Sequence, residues 1–137
     1  NLGQQIAQQA QEHGHWVAGG RIASRISWAR SISVDSDKAL LADLLYDVIG
    51  TSVASQESVV VSFALAQQVA IGEMSAFDAL CMAASLGGDT DTIAAILGAM
   101  LGACLGLECW PTEMINTVKA VNHLQLEPLV QGLLALR

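Results

Sequence analysis

Positive charge is scarce in this sequence. Only 6 of its 137 residues are lysine or arginine, against 13 aspartates and glutamates, so the formal net charge is −7. A surface that binds a nucleic-acid backbone needs clustered cations to displace counterions, so we expect no nucleic-acid partner. Arg21, Arg25 and Arg30 share one predicted helix, and we interpret them as exposed cations on a solvated face.

Cysteine is also rare, and its three positions lack the spacing of a metal or redox motif. Cys81, Cys104 and Cys109 lie among alanine, leucine and methionine. We therefore expect buried, reduced thiols and a cytoplasmic location. His13 and His15 have no third ligand at a zinc-binding spacing, which disfavours a zinc site.

Long apolar runs are limited as well. The segment 93–107 carries no charge, but a membrane-spanning helix needs about 20 apolar residues, so we expect no membrane contact. The amino terminus lacks the basic, apolar and small-residue series of a signal peptide. Because the sequence also starts without methionine, we interpret it as a processed or truncated chain.

What the sequence does contain is helical periodicity. Apolar residues make up 53% of the chain and recur at helical spacing without sustained strand-like alternation, which predicts an all-α fold. We expect the segment around Gly98 and Gly102 to form a central helix wrapped by the others, since small residues let helices approach closely. The predicted helices are 2–13, 21–31, 38–49, 55–71, 75–86, 91–106, 111–122 and 126–136.

One polar segment stands at the entry to that central helix. Positions 87–92 read Gly-Gly-Asp-Thr-Asp-Thr, so Asp89, Asp91 and Thr92 place three oxygen-bearing side chains at one helix terminus. Such oxygens select Mg²⁺, Mn²⁺ or Ca²⁺ over softer metals, and the helix dipole favours negative charge there. The alternative is an ordinary capping box, in which Asp89 or Thr90 binds the free helix N–H groups and Asp91 satisfies the helix dipole.

A second acidic string, Asp35-Ser36-Asp37, precedes the predicted helix 38–49 and has no glycine beside it. We interpret it as capping and solvated charge. Neither string has the central glycine and distal glutamate of an EF-hand, which disfavours a calcium sensor.

The segment 87–92, called the signature below, and the residues around it resemble a known family. The run Gly-Gly-Asp-Thr-Asp-Thr-Ile-Ala-Ala-Ile, followed by Gly-Ala-Met-Leu-Gly-Ala, is similar to the carboxyl-terminal signature of the ADP-ribosylglycohydrolases. The segment 50–59 resembles the loop and helix that precede this signature in the family. The resemblance implies a helical fold, two Mg²⁺ ions in a cleft, and hydrolysis of the glycosidic bond of an ADP-ribosyl group.

By position, the resemblance implies that Asp89, Asp91 and Thr92 are metal ligands and that Asp91 bridges the two ions. Mn²⁺ could replace Mg²⁺ because both prefer oxygen ligands. Gly50, Thr51 and Ser52 are candidates for contacting the substrate, with a simple polar turn as the alternative. Which leaving group is released, whether arginine, serine or a nucleotide, is not encoded in these segments.

Ligand counting indicates that this site is incomplete. Two Mg²⁺ ions require about twelve coordination positions, and three side chains fill only a few of them. The resemblance implies that the other metal ligands come from a Thr-Asp-Asp-Thr segment in the amino-terminal half of the family, where a glycine-rich loop also contacts the diphosphate. Neither motif occurs here. We therefore expect residues 1–137 to be the carboxyl-terminal part of one domain, inactive alone, with the amino-terminal half as a separate or cleaved partner and an ADP-ribosylated substrate.

Two other functions remain open. The first is a catalytically inactive relative kept for binding or structure. The second is a helical interaction module in which the acidic string only caps a helix. Both predict that Mg²⁺ leaves the protein unchanged.

Overall fold

The computed structural model of the protein describes residues 5, 6, 9, 20–33 and 36–136. Within the continuous stretches 20–33 and 36–136 the chain forms α-helices and no strand, which confirms the predicted all-α class. Most of the predicted helix 2–13, and both His13 and His15, lie outside the described residues. The helices are α1 (Ile22–Ser33), α2 (Lys38–Asp43), α3 (Ser55–Ala70), α4 (Ala76–Ser85), α5 (Thr90–Leu105), α6 (Thr112–Val121) and α7 (Glu127–Leu134).

Helix α3 lies at the middle of the packed part of the fold. It contacts α1, α4 and α5. Its apolar side chains Val60, Val61, Ala64 and Leu65 are fully buried, as expected for a helix that is covered on several sides. The core around it is completed by buried side chains of its neighbours, namely Ile26, Ala29, Leu41, Leu45, Ile49, Met74, Ala76, Ala79, Ala83, Ile93, Leu97 and Leu101.

Two buried polar side chains fix the helices that flank α3. The Ser62 hydroxyl lies 2.8 Å from the Ser58 carbonyl of its own helix and 3.2 Å from the Ile93 carbonyl of α5, so its single proton is shared between α3 and α5. The Gln68 side-chain amide donates to the Ser33 carbonyl at 2.8 Å, which joins α3 to the end of α1. Because an unpaired buried polar group is costly, these bonds set the positions of the helices along one another.

The predicted helix 38–49 is an α-helix only in its first half. Residues Leu44–Ile49 form a π-helical segment, and the Gly50 N–H donates to the Leu45 carbonyl five residues earlier at 3.0 Å. Apolar period does not distinguish a π turn from an α turn, so the pattern predicts one continuous helix. The π segment ends directly at the loop 50–54.

Helix α5 is covered on one side. Its buried side chains Ile93, Leu97 and Leu101 face the core between α3 and α4, whereas Ala95, Ala99 and Ala103 are exposed. The expectation that other helices wrap α5 is therefore met on one face only within the described residues. The Ala95–Ala99–Ala103 face, called the open face of α5 below, remains uncovered.

The last two helices are the least buried part of the fold. Neither α6 nor α7 contains a buried residue, and Val121, Leu129 and Leu133 are between 65% and 72% exposed. The expectation of buried thiols is wrong for Cys81 and Cys104, which are exposed and free. An apolar sequence neighbourhood does not specify which helix face is covered. No helix in the described part of the chain is long and apolar enough to cross a membrane.

Candidate metal centre

The signature at positions 87–92 forms the turn from α4 into α5. Gly87 and Gly88 have φ of 91° and 73°, the left-handed region that glycine adopts without a side-chain clash. A Cβ atom at Gly88 would lie 2.3 Å from the Thr51 carbonyl oxygen. Both the backbone angle and the close approach of Thr51 therefore require glycine at position 88.

Thr51 holds the turn from the opposite side. Its carbonyl oxygen accepts a hydrogen bond from the Asp89 N–H at 2.7 Å, and the residue is only 5% exposed. The structure thus brings together two segments that sequence reasoning singled out separately, the signature and the loop that contains Gly50, Thr51 and Ser52.

The carboxylate of Asp89 is not used as a helix cap. Asp89 occupies the capping position of α5 with φ −85° and ψ 58°, and its side chain makes no capping hydrogen bond. Its backbone carbonyl still accepts from the Ile93 N–H at 3.1 Å, as the helix requires. The capping alternative for the signature therefore finds no support at Asp89.

Asp91 lies in the first turn of α5 beside Asp89. Its Oδ1 accepts a hydrogen bond from the Thr92 N–H at 2.9 Å. This bond lowers the pKa of Asp91. Asp91 and Thr92 are both exposed. Two carboxyl groups and one hydroxyl group therefore stand together at an accessible helix entry.

These donors match the preference of a hard cation. Within the described residues neither Asp89 nor Asp91 forms an ion pair with a basic side chain, so their charge is available to a metal. Carboxylate and hydroxyl oxygens suit Mg²⁺ and Mn²⁺. However, no cluster of three or more acidic, histidine or cysteine side chains occurs in the same residues. The donor set fits one side of a two-ion site and does not complete it.

The loop beside the signature is held by Glu57. The carboxylate of Glu57 accepts a hydrogen bond from the Ser52 N–H at 2.8 Å. Hydrogen bonds from the Ser52 hydroxyl and N–H, together with the nearby charge of Arg25, lower the pKa of Glu57. An ionised Glu57 therefore fixes Ser52 in place.

Arg25 anchors both ends of the same loop. Its Nε donates to the Gln56 carbonyl at 2.7 Å, and its Nη2 donates to the Ile49 carbonyl at 2.6 Å. The side chain is half-buried. The interpretation of Arg25 as an exposed cation on a solvated face is therefore wrong, because its guanidinium group satisfies backbone carbonyls of another segment.

The apolar grooves of the molecule lie away from the signature. One of about 490 Å³ runs between α1, α3 and α5 and is lined by Ile26, Phe63 and Leu101 among others. Another of about 240 Å³ lies beside α6 and is lined by Phe77, Trp110 and Met114 among others. Neither Asp89 nor Asp91 lines these two grooves; Asp91 is exposed and Asp89 is half-buried.

Comparison with known sequences identifies the family. The sequence model of the ADP-ribosylglycohydrolases matches residues 2–137, essentially the whole chain. The chain belongs to the ADP-ribosylglycohydrolase family. Membership in this family supports a glycosidase-type hydrolytic function.

A match to a curated relative shows how much of that protein's length the chain spans. The chain is 33% identical over 120 residues to the uncharacterized protein YegU of Escherichia coli strain K12. The match covers 87% of this chain and 35% of the relative, so the chain spans about a third of that protein's length. No solved structure matches the chain.

Sequence reasoning missed three side chains around this ADP-ribosylglycohydrolase signature. They are Arg25, Glu57 and Tyr46, whose ring would lie 3.1 Å from a Cβ atom at Gly87. Glu57 could have been noticed as an acidic residue five positions after Ser52, within reach of the loop. Arg25 and Tyr46 carry no such signal, because their contacts depend on how α1 and the π segment pack.

Proposed function

We propose that the complete protein catalyses Mg²⁺-dependent hydrolysis of the glycosidic bond of an ADP-ribosyl group. In this proposal Asp89, Asp91 and Thr92 are metal ligands from this chain, and Asp91 bridges two ions. Mn²⁺ is an alternative cation with the same oxygen preference. Family membership supports the reaction class.

The observation that carries the metal proposal is the pairing of Asp89 and Asp91. Asp89 and Asp91 lie two residues apart at the entry of α5, and neither forms an ion pair in the described residues. Two adjacent anions repel each other unless a proton or a cation lies between them. A divalent cation offsets this repulsion, in addition to the roughly half positive charge at the amino-terminal end of α5.

The chemistry assigned to this chain is binding and orientation. Bound Mg²⁺ would supply Lewis acidity and a template for the ribose hydroxyls and a water molecule. Asp89 and Asp91 hold the negative charge that keeps the cation at the entry of α5, and a carboxylate accepts the proton of the attacking water. Gly50, Thr51 and Ser52 stand next to Asp89 and are proposed to contact the substrate.

The remaining ligands are proposed to come from the amino-terminal half of the complete protein, as a separate or cleaved chain. Two carboxylates bring two negative charges against the four positive charges of two Mg²⁺ ions. The chain covers 35% of the length of its relative, which leaves ample sequence for the missing ligands. The open face of α5 begins one turn from Asp91 and is proposed to contact that half. We place this assembly in the cytoplasm, since all three cysteines are free.

The test is Asp91→Ala in the complete gene product, with Asp78→Ala as the matched control. Asp78 is an exposed acid in the first turn of α4, as Asp91 is in the first turn of α5. Ligand at one hundred times its dissociation constant stabilises a protein by about 2.7 kcal/mol. We expect Mg²⁺ to raise the melting temperature of the parent protein and of Asp78→Ala, and to have no effect on Asp91→Ala. ADP-ribose release should be lost in Asp91→Ala alone.

Other outcomes identify the alternatives. An inactive relative would release no ADP-ribose and show no response to Mg²⁺ or Mn²⁺ in the parent protein. A capping role would lower the stability of Asp91→Ala slightly and leave any activity unchanged. Either result would exclude the metal function proposed for Asp89, Asp91 and Thr92.

A further inference from the structure

Arg25 connects α1 to the loop that faces the candidate metal centre. Its Nε and Nη2 atoms donate to the carbonyls of Gln56 and Ile49 at 2.7 and 2.6 Å. Gln56 follows the loop 50–54 and Ile49 precedes it. One guanidinium group therefore closes the two ends of this loop, although residue 25 is remote from it in sequence.

The middle of the loop is bonded to the signature. The Thr51 carbonyl accepts from the Asp89 N–H at 2.7 Å, and Thr51 fills the space that a Cβ atom at Gly88 would occupy. The backbone of Asp89 is thus set by the position of Thr51. The position of Thr51 depends in turn on how the loop ends are held.

We infer that Arg25 is a positioning residue for the candidate metal centre, acting through Thr51 on the backbone of Asp89. This inference rests on the proposed Mg²⁺ site. A planar guanidinium can serve two carbonyls at once from a fixed geometry, whereas a lysine ammonium offers a single point charge on a flexible stem. The nearby carboxylate of Glu57 offsets the charge of the half-buried Arg25.

Arg25 differs in this respect from the next arginine on the same helix. Arg30 hydrogen-bonds the side-chain oxygen of Gln67, which lies in α3 and away from the loop. Both arginines are half-buried. Both join α1 to α3, Arg25 at the first turn of α3 and Arg30 near its other end. Arg30→Ala is therefore a matched control that removes a similar contact without touching the loop.

The experiment compares Arg25→Ala, Arg25→Lys and Arg30→Ala in the complete gene product. The first readout is the Mg²⁺ concentration that gives half of the maximal rise in melting temperature. The second is hydrogen exchange of the backbone amides in the segment 87–92. Loss of a residue that orients metal ligands typically weakens metal affinity 10- to 100-fold. We expect Arg25→Ala to raise the half-saturating Mg²⁺ concentration by about 10-fold and to speed exchange at Asp89.

The variants separate positioning from general stability. Arg25→Lys should fold and show an intermediate Mg²⁺ affinity, which keeps the test informative if Arg25→Ala does not fold. Arg30→Ala should lower the melting temperature without Mg²⁺ and leave the half-saturating concentration unchanged. Equal Mg²⁺ affinity and equal exchange at Asp89 in Arg25→Lys and the parent protein would overturn the inference. Absence of any Mg²⁺ effect in the parent protein would instead refute the proposed function.

Discussion

Two acidic strings with the same spacing occur in this chain, and only one of them caps a helix. Asp37 has extended backbone angles of φ −67° and ψ 168°, and its Oδ1 accepts from the Leu40 N–H at 2.8 Å. Asp89 stands at the same position before α5 but has ψ 58° and makes no capping bond with its side chain. Asp35, the first acid of the earlier string, lies outside the described residues.

The backbone angles of Asp37 and Asp89 explain the difference. An N-cap residue normally has extended angles, from which its side chain reaches the free N–H groups of the first turn. Asp37 has these angles. Asp89 follows two left-handed glycines, and its N–H is bonded to Thr51, so its backbone is held away from the capping geometry. The acidic pattern alone therefore does not define a role, whereas the glycines and the facing loop do.

The largest expected loss of stability comes from replacing Gly88, which precedes the later acidic string and has no counterpart before the earlier one. Gly88→Ala places a Cβ atom 2.3 Å from the Thr51 carbonyl oxygen at a φ of +73°. Such strained positions cost about 1–3 kcal/mol each, and the clash with backbone adds to this. We expect the free energy of unfolding, measured by urea denaturation of the complete protein, to fall by about 3 kcal/mol.

Gly72→Ala is the matched control for this prediction. Gly72 also has a left-handed φ of +82°, but no atom lies within 4 Å of an added Cβ. We expect a loss of only about 1 kcal/mol, which reports the backbone angle alone. Equal losses for the two alanine variants would show that Thr51 does not restrain the signature.

A smaller change in the free energy of unfolding is expected when Asp37 or Asp89 is replaced by alanine and Mg²⁺ is absent. Asp37→Ala removes a capping bond and should lower the free energy of unfolding by about 1 kcal/mol. Asp89→Ala removes no capping bond and should change it by less than about 0.5 kcal/mol. Thermal unfolding of both variants in a chelator measures this contrast. A larger loss for Asp89→Ala would contradict the assignment of its carboxylate to a metal.

Periodicity predicted the helices of this protein well, because burial of one apolar stripe produces the same spacing in any packed helix. The observed limits of α3, Ser55–Ala70, differ by one residue from the predicted 55–71. The signature residues Asp89, Asp91 and Thr92 could be singled out because glycines, carboxylates and hydroxyls report their chemistry locally. Their assignment as metal ligands remains a prediction.

Long-range contacts could not be predicted from the sequence. Arg25 has the composition and spacing of an ordinary surface cation, and only the packing of α1 places it against the carbonyls of Ile49 and Gln56. The same limit applies to α5, whose residues are small or apolar all round. Its sequence does not distinguish the buried Leu97 from the exposed Ala99, because both faces are suited to contact with protein.

The smallest expected effect concerns the loop 50–54, which is bonded to the later acidic string. The pKa of Glu57 is lowered chiefly by the Ser52 hydroxyl and N–H. The stabilisation from its charged form is therefore complete above the ordinary pKa of glutamate, about 4.3, and is lost as the pH falls through the lowered value. Glu57→Gln removes this charge while its side-chain oxygen can still accept from Ser52.

We expect the parent protein to exceed Glu57→Gln in melting temperature at pH 6 and to lose this advantage towards pH 3, a difference worth a fraction of a kcal/mol. Glu113→Gln is the control, because Glu113 is exposed in the first turn of α6 and remote from the loop. Its melting temperature should follow that of the parent protein across the same pH range. A difference in melting temperature between Glu57→Gln and the parent protein that stays constant with pH would contradict this prediction. It would show that the charge on Glu57 does not hold Ser52 beside the signature.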